Sequence, residues 1–105
     1  YSETSGTAMV AYALMKGARL GMLPAEYGQK GSEVLDGIRD TYLKKTGTGW
    51  ELHGICASAG LGPGPDNRTD RTGTPDYYLS EKQMVDNQHG AAACMMAVSE
   101  QLRRK

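Results

Sequence analysis

Phenylalanine is absent, tryptophan occurs once and cysteine only twice among the 105 residues. Two cysteines exclude a disulfide-stapled scaffold. Cys56 and Cys94 could pair, but each sits among small apolar neighbours, the setting of a reduced, buried thiol. Net charge is also missing, since 12 basic residues balance 12 acidic ones. A neutral balance gives no electrostatic reason to expect nucleic acid or an anionic membrane, although one local site can still bind a small anion. No apolar run reaches the ~18 residues needed to cross a bilayer. The first residues, from Tyr1, show no charged-then-apolar leader. The sequon Asn67-Arg68-Thr69 matters only in a secreted eukaryotic chain.

What is present is helical periodicity and glycine. Residues 5–20 read as a helix, with Ala8, Ala11, Tyr12, Met15 and Ala18 at helical spacing and further apolar residues on the other faces. A helix that is apolar nearly all round is buried on most sides. Gly21 fits its stop, and Pro24 the first turn of a second helix over 24–45. There Tyr27, Gly31, Val34, Leu35, Ile38 and Tyr42 form a stripe, and Gly28, Gly31 and Gly37 suggest a closely packed neighbour. Trp50 to Cys56 reads as a short strand, one arm of a hairpin. Residues 57–76 read as a long glycine-rich loop, Tyr77-Tyr78-Leu79 as a second short strand. Residues 88–105 form a last helix, capped by Asp86 or Asn87, with Ala91, Met95, Val98 and Leu102 as its stripe. Three helices this apolar do not close a good core by themselves. A missing partner surface is expected, either the rest of a longer chain or another copy.

If the helices alternate in direction, the first and third start on one rim, where the insertion 46–88 also begins and ends. That rim would gather Glu3-Thr4-Ser5-Gly6-Thr7, the glycine-rich insertion and Asp86-Asn87-Gln88-His89-Gly90. Unpaired N–H groups at two helix starts, with Ser and Thr hydroxyls, suit a carboxylate or phosphate. Thr4, Ser5 and Thr7 are therefore candidates for holding an anion, against the plainer reading of an N-cap beside Glu3. His89 either faces the site or orders the rim. Tyr77 and Tyr78 are candidates for stacking on a ligand ring, against ordinary packing, and Trp50 reads as a core anchor. His53, Cys56, His89 and Cys94 do not make a zinc site, because His89 and Cys94 point to different sides of one helix. Gly60-x-Gly62-x-Gly64 lacks the Lys-Ser/Thr of a phosphate loop and is interrupted by prolines.

The run Glu3-Thr4-Ser5-Gly6-Thr7-Ala8-Met9-Val10-Ala11-Tyr12-Ala13-Leu14 resembles a signature of the unsaturated glycuronyl hydrolases, glycoside hydrolase families 88 and 105. The latter includes the unsaturated rhamnogalacturonyl hydrolases. In order along the chain, Gly54-Ile55-Cys56-Ala57 resembles the Gly-Val-Cys segment of family 105. Tyr77-Tyr78-Leu79 resembles its Tyr-Tyr-Leu. Asp86-Asn87-Gln88-His89-Gly90 resembles its Asn-Asp-x-His-Gly, departing at Gln88 and in the order of Asp86 and Asn87. The resemblance implies a mostly α fold, an (α/α)6 barrel whose last three helices this chain supplies as a C-terminal portion. A short β-hairpin and the long loop would lie between its second and third helices. It further implies hydration of the C4=C5 double bond of a 4,5-unsaturated uronic acid, without metal, cofactor or covalent intermediate. The partners would be an unsaturated uronic-acid oligosaccharide and the N-terminal part of the barrel. The family's catalytic aspartate lies upstream of the signature, so no catalytic residue is nominated and the chain alone is expected to be inactive. The alternative class is a helical binding or assembly module without catalysis.

Overall fold

The first helix owes its start to an unusual cap. In the structure, a computed structural model that describes residues 3–57 and 67–104, α1 spans Thr4–Arg19 and Glu3 is its N-cap. It stops at Leu20, where the N–H bonds back to Lys16, and Gly21 follows at φ +75°. The second helix, α2, spans Glu26–Tyr42, then β1 (Leu43–Lys45), β2 (Trp50–Leu52), β3 (Ile55–Cys56), α3 (Pro75–Ser80), β4 (Gln83–Met84) and α4 (Gln88–Leu102). β1 pairs antiparallel with β2, Leu43 opposite Leu52, and β3 with β4, Ile55 opposite Met84.

Three expectations are corrected. The second helix ends at Tyr42 rather than 45. Residues 43–45 form the other arm of the hairpin, closed by the Thr46 hydroxyl, which accepts from the N–H groups of Thr48 and Gly49. The strand expected over 50–56 is two strands, because Gly54 sits at φ +79° between them. Tyr77-Tyr78-Leu79 is helical, not extended. Thr74 caps that turn by accepting from the Tyr77 N–H, and Pro75 occupies the first helical position, a start signal of the usual kind. The glycines at 60, 62 and 64 and the rest of 58–66 lie outside the described residues.

The long helices alternate in direction. α2 runs back along α1: a Cβ at Gly31 would meet the Ala11 carbonyl at 2.8 Å, and one at Gly28 would meet the Ala18 Cβ at 3.2 Å. The close approach expected from these glycines is therefore real at 28 and 31, whereas Gly37 faces open space. α4 lies parallel to α1. Both helix starts are bonded to the Cys56 peptide, and near their ends Arg19 of α1 forms an ion pair with the buried carboxylate of Glu100. The core between the elements is made of Ala8, Ala11, Met15, Leu35, Ile38, Leu52, Ile55, Ala93 and Ala97.

Two expected buried positions are also corrected: Trp50, read as a core anchor, is 60% exposed, and the face of α4 differs from its expected stripe. Gly90, Ala93, Ala97 and Glu100 are its buried residues, while Met95 of the expected stripe is 70% exposed and Leu102 60%. At the start of α4, β3 comes so close that no side chain fits. A Cβ at Gly90 would stand 2.6 Å from the Ile55 side chain. The large residues of α4 are left on the opposite side, where Met95 and Val98 border an apolar groove against Leu35, Ile38 and Leu43.

Candidate functional site

Four segments meet at the starts of α1 and α4. The Glu3 carboxylate is the centre of this rim. One oxygen accepts the Gly6 N–H (2.7 Å), and the other accepts those of Ser5 (3.0 Å) and Cys56 (2.9 Å). The Ser5 hydroxyl donates to the same carboxylate at 2.7 and 2.8 Å. Burial alone would raise the Glu3 pKa, but the N–H donors of Gly6, Cys56 and Ser5 and the Ser5 hydroxyl outweigh it and hold the acid below its ordinary value. The N–H groups at the head of α1 that the sequence offers to an external anion are thus taken by the chain's own carboxylate.

The nominated hydroxyls divide by environment. Thr4 is 1% exposed; its hydroxyl donates to the His53 carbonyl (2.6 Å) and its N–H to the Gly54 carbonyl (2.7 Å). Ser5 is buried on Glu3. Thr7 is exposed, its hydroxyl donating to the Glu3 carbonyl at 2.6 Å, which leaves its oxygen lone pairs outward. Gly54 makes the contact with Thr4 possible. Its positive φ disfavours any side chain, and a Cβ there would meet the Thr4 hydroxyl at 2.6 Å and the Tyr42 ring at 2.9 Å.

The other two motifs serve the same rim. Asp86, at φ +56°, accepts the Leu52 N–H on its carboxylate (2.7 Å) and donates its own N–H to the Leu52 carbonyl (2.9 Å). Asn87 caps α4, accepting from the His89 N–H. The His89 Nε2 lies 2.9 Å from the Cys56 carbonyl. A carbonyl only accepts, so Nε2 carries the proton. His89 is exposed on its outer side and meets Thr7's rim through the Cys56 peptide. Tyr77 is 6% exposed, with the Arg68 guanidinium 6.0 Å from its ring centre. Arg68 also binds Asp70 (2.7 Å) and the buried Glu81, so this side of the rim is braced by an ion-pair cluster.

An open cleft of about 670 Å³ adjoins the rim. Glu3, Thr7 and Val10 line it from α1, Val34, Gly37, Ile38 and Tyr42 from α2, and Tyr78 from α3. Burial, with the Glu3 carboxylate nearby, raises the Tyr78 phenol pKa, so the ring stays neutral. Sequence reasoning named the two tyrosines together; the helical turn of α3 separates them, one inward and one on the cleft. It also missed Glu3 as a cap, because glutamate is not among the favoured cap residues. Val34, Gly37 and Tyr42 lie outside the motifs the sequence singled out. Among the described residues, no group of three or more His, Cys, Asp or Glu is placed to hold a metal ion. No described helix is long and apolar enough to cross a membrane.

A neutral tyrosine, a free-edged threonine and apolar walls beside an ionised carboxylate suit a sugar face. The family model described as Glycosyl Hydrolase Family 88 matches residues 1–105. The chain belongs to that family. This family 88 chain is 42% identical over 107 residues to "Protein Atu3128" of Agrobacterium fabrum, an alignment covering 97% of this chain and 45% of that protein. The same figures hold for the "24.9 kDa protein in picA locus" of Rhizobium radiobacter. A glycoside hydrolase from family 105 of C. acetobutylicum superposes with a TM-score of 0.86 at 36% identity, over 98% of this chain and 28% of that one. The chain therefore spans less than half the length of the curated relatives it matches. In this family 88 member, the segments around Glu3–Thr7, Gly54–Cys56, Tyr77–Tyr78 and Asp86–His89 build the rim.

Proposed function

We propose that this chain is part of a glycoside hydrolase that removes 4,5-unsaturated uronic acid from oligosaccharides, and that it contributes the last helices of an (α/α)6 barrel. The observation that carries the reading is the family match along all of residues 1–105, on a chain that spans 28% of a family 105 hydrolase with the same local fold. In this reaction a carboxylic acid protonates the C4=C5 bond, water adds at C5, and the hemiketal opens to release the next sugar. No metal takes part.

The rim's share is recognition. Thr7 and Tyr78 offer the cleft a hydroxyl and a ring for a sugar, and His89 stands at the start of α4 on the same rim. Thr4, Ser5 and Tyr77 support this surface from beneath through buried contacts. Among the described residues lining the cleft, the carboxylate is Glu3. Held ionised by its donors, it is a poor proton source. The proton then comes from an acid elsewhere in the whole protein, and the 105 residues alone are inactive. The test is to give the full-length protein a set of unsaturated oligosaccharides and follow absorbance of the conjugated double bond. Loss of that absorbance is expected. A well-folded protein that leaves every such substrate intact overturns the reading.

A further inference from the structure

The Cys56 peptide is gripped from both sides. Its N–H donates to the Glu3 carboxylate of the α1 cap, and its carbonyl accepts from His89 of α4. Glu3 is therefore more than a cap. A local cap needs only the Ser5 and Gly6 N–H groups, yet this carboxylate also reaches 53 residues along the chain. The space it needs is kept free: a Cβ at Gly6 would stand 3.2 Å from the carboxylate oxygen.

Both ligand-facing groups of the cleft hang on this junction. The Thr7 hydroxyl is oriented by donating to the Glu3 carbonyl. Tyr78 is tied less directly. Cys56 is registered against Gln83, and the Ala57 N–H donates to the Lys82 carbonyl at 3.0 Å, so β3 fixes the segment that follows α3. A displaced Cys56 peptide would carry Lys82, and with it the end of α3, away from α1.

We propose that Glu3 is a positioning residue: by holding the first turn of α1 and the Cys56 peptide on one carboxylate, it sets the spacing of Thr7 and Tyr78 for a bound sugar. This rests on the reading of the rim as the sugar-binding side of the hydrolase. Glu3→Asp separates the two tasks. Aspartate is a favoured N-cap, so the helix start survives, but a side chain one methylene shorter cannot also reach Cys56. Glu3→Ala empties the carboxylate's seat, which formate then fits.

The experiment uses the full-length protein, with KM and kcat on an unsaturated oligosaccharide and amide hydrogen exchange at Cys56. In Glu3→Asp, KM should rise about 10-fold with kcat nearly unchanged, and Cys56 exchange should quicken by about 10-fold or more. In Glu3→Ala, added formate should lower KM and restore Cys56 protection, with no effect on the wild type. A wild-type KM in Glu3→Asp, with or without faster exchange, overturns the proposal, as does a Glu3→Ala protein indifferent to formate. An inactive wild type would instead sink the hydrolase reading, while the exchange measurement would still report whether Glu3 holds Cys56.

Discussion

α1 and α4 are parallel neighbours of similar composition, and their fates differ. α1 lies between α2 and α4, so its Ala8, Ala11 and Met15 are fully enclosed. α4 buries Gly90, Ala93 and Ala97, with Gly90 against Ile55 of β3, and turns Met95, Val98 and Leu102 outward. The difference teaches that apolar spacing identifies a face without saying what covers it. In α1 the elements that cover Ala8, Ala11 and Met15 belong to these 105 residues, although Met9 and Val10 stay more than half exposed. In α4 the small residues do the close packing, and the large ones face outward.

The sharpest test of this contrast is a pair of truncations. Met15→Ala should cost about 2–5 kcal/mol by urea denaturation, since the side chain is fully buried. Met95→Ala should cost less than about 0.5 kcal/mol in the isolated chain, where the residue is exposed. If the proposed barrel covers this stripe in the full-length protein, the cost there should rise to about 2 kcal/mol. Equal, small costs for Met95→Ala in both proteins would mean that no further element packs there. The isolated chain should also self-associate through this face, read as a mass above that of one chain by light scattering.

A second contrast divides the rim. Thr4→Val leaves the His53 carbonyl without its buried donor and should cost about 1–3 kcal/mol of stability. Thr7→Val, at an exposed position, should cost under about 1 kcal/mol and act mainly on KM in the full-length protein. If both variants lose stability alike, Thr7 belongs to the scaffold and not to the binding surface.

The smallest effect concerns the two ends of the α1–α4 pair. Glu3 is held below its ordinary pKa against burial by backbone donors, and Glu100 by the Arg19 guanidinium. The unfolded chain takes up these protons near the ordinary value of 4.5, whereas the folded chain resists them to lower pH. Their stabilisation is complete above that value and is lost as pH falls through the depressed folded values. Urea midpoints should therefore drop on acidification, and Glu100→Gln should flatten the drop. An unaltered pH profile in that variant would remove Glu100 from the account.

Much of the helical frame was legible in the sequence. The stop at Gly21, the reversal into α2 and the start of α4 at Gln88 follow from local signals that nothing overrides. The meeting of the rim segments follows from alternating directions alone. What escaped depended on contacts between distant residues. β1 was hidden in the tail of a helix-like stretch because its partner lies across a turn, and Tyr77 was read as strand although Thr74-Pro75 announces a helix. The choice between Tyr77 and Tyr78 rests on which side of α3 meets Arg68. Glu3 escaped because glutamate is not among the favoured caps, and its further contact with Cys56 lies 53 residues away, beyond any local rule.

Under the proposed function, this chain serves an enzyme acting on a double bond rather than on an ordinary glycosidic linkage. The most direct measurement gives the full-length protein two matched disaccharides, one ending in a 4,5-unsaturated uronic acid and one in its saturated counterpart. Double-bond loss and released sugar are quantified in the same reaction. The account predicts equal amounts of both from the unsaturated substrate and no release from the saturated one. Release of sugar with the double bond intact, or cleavage of the saturated disaccharide, would contradict it.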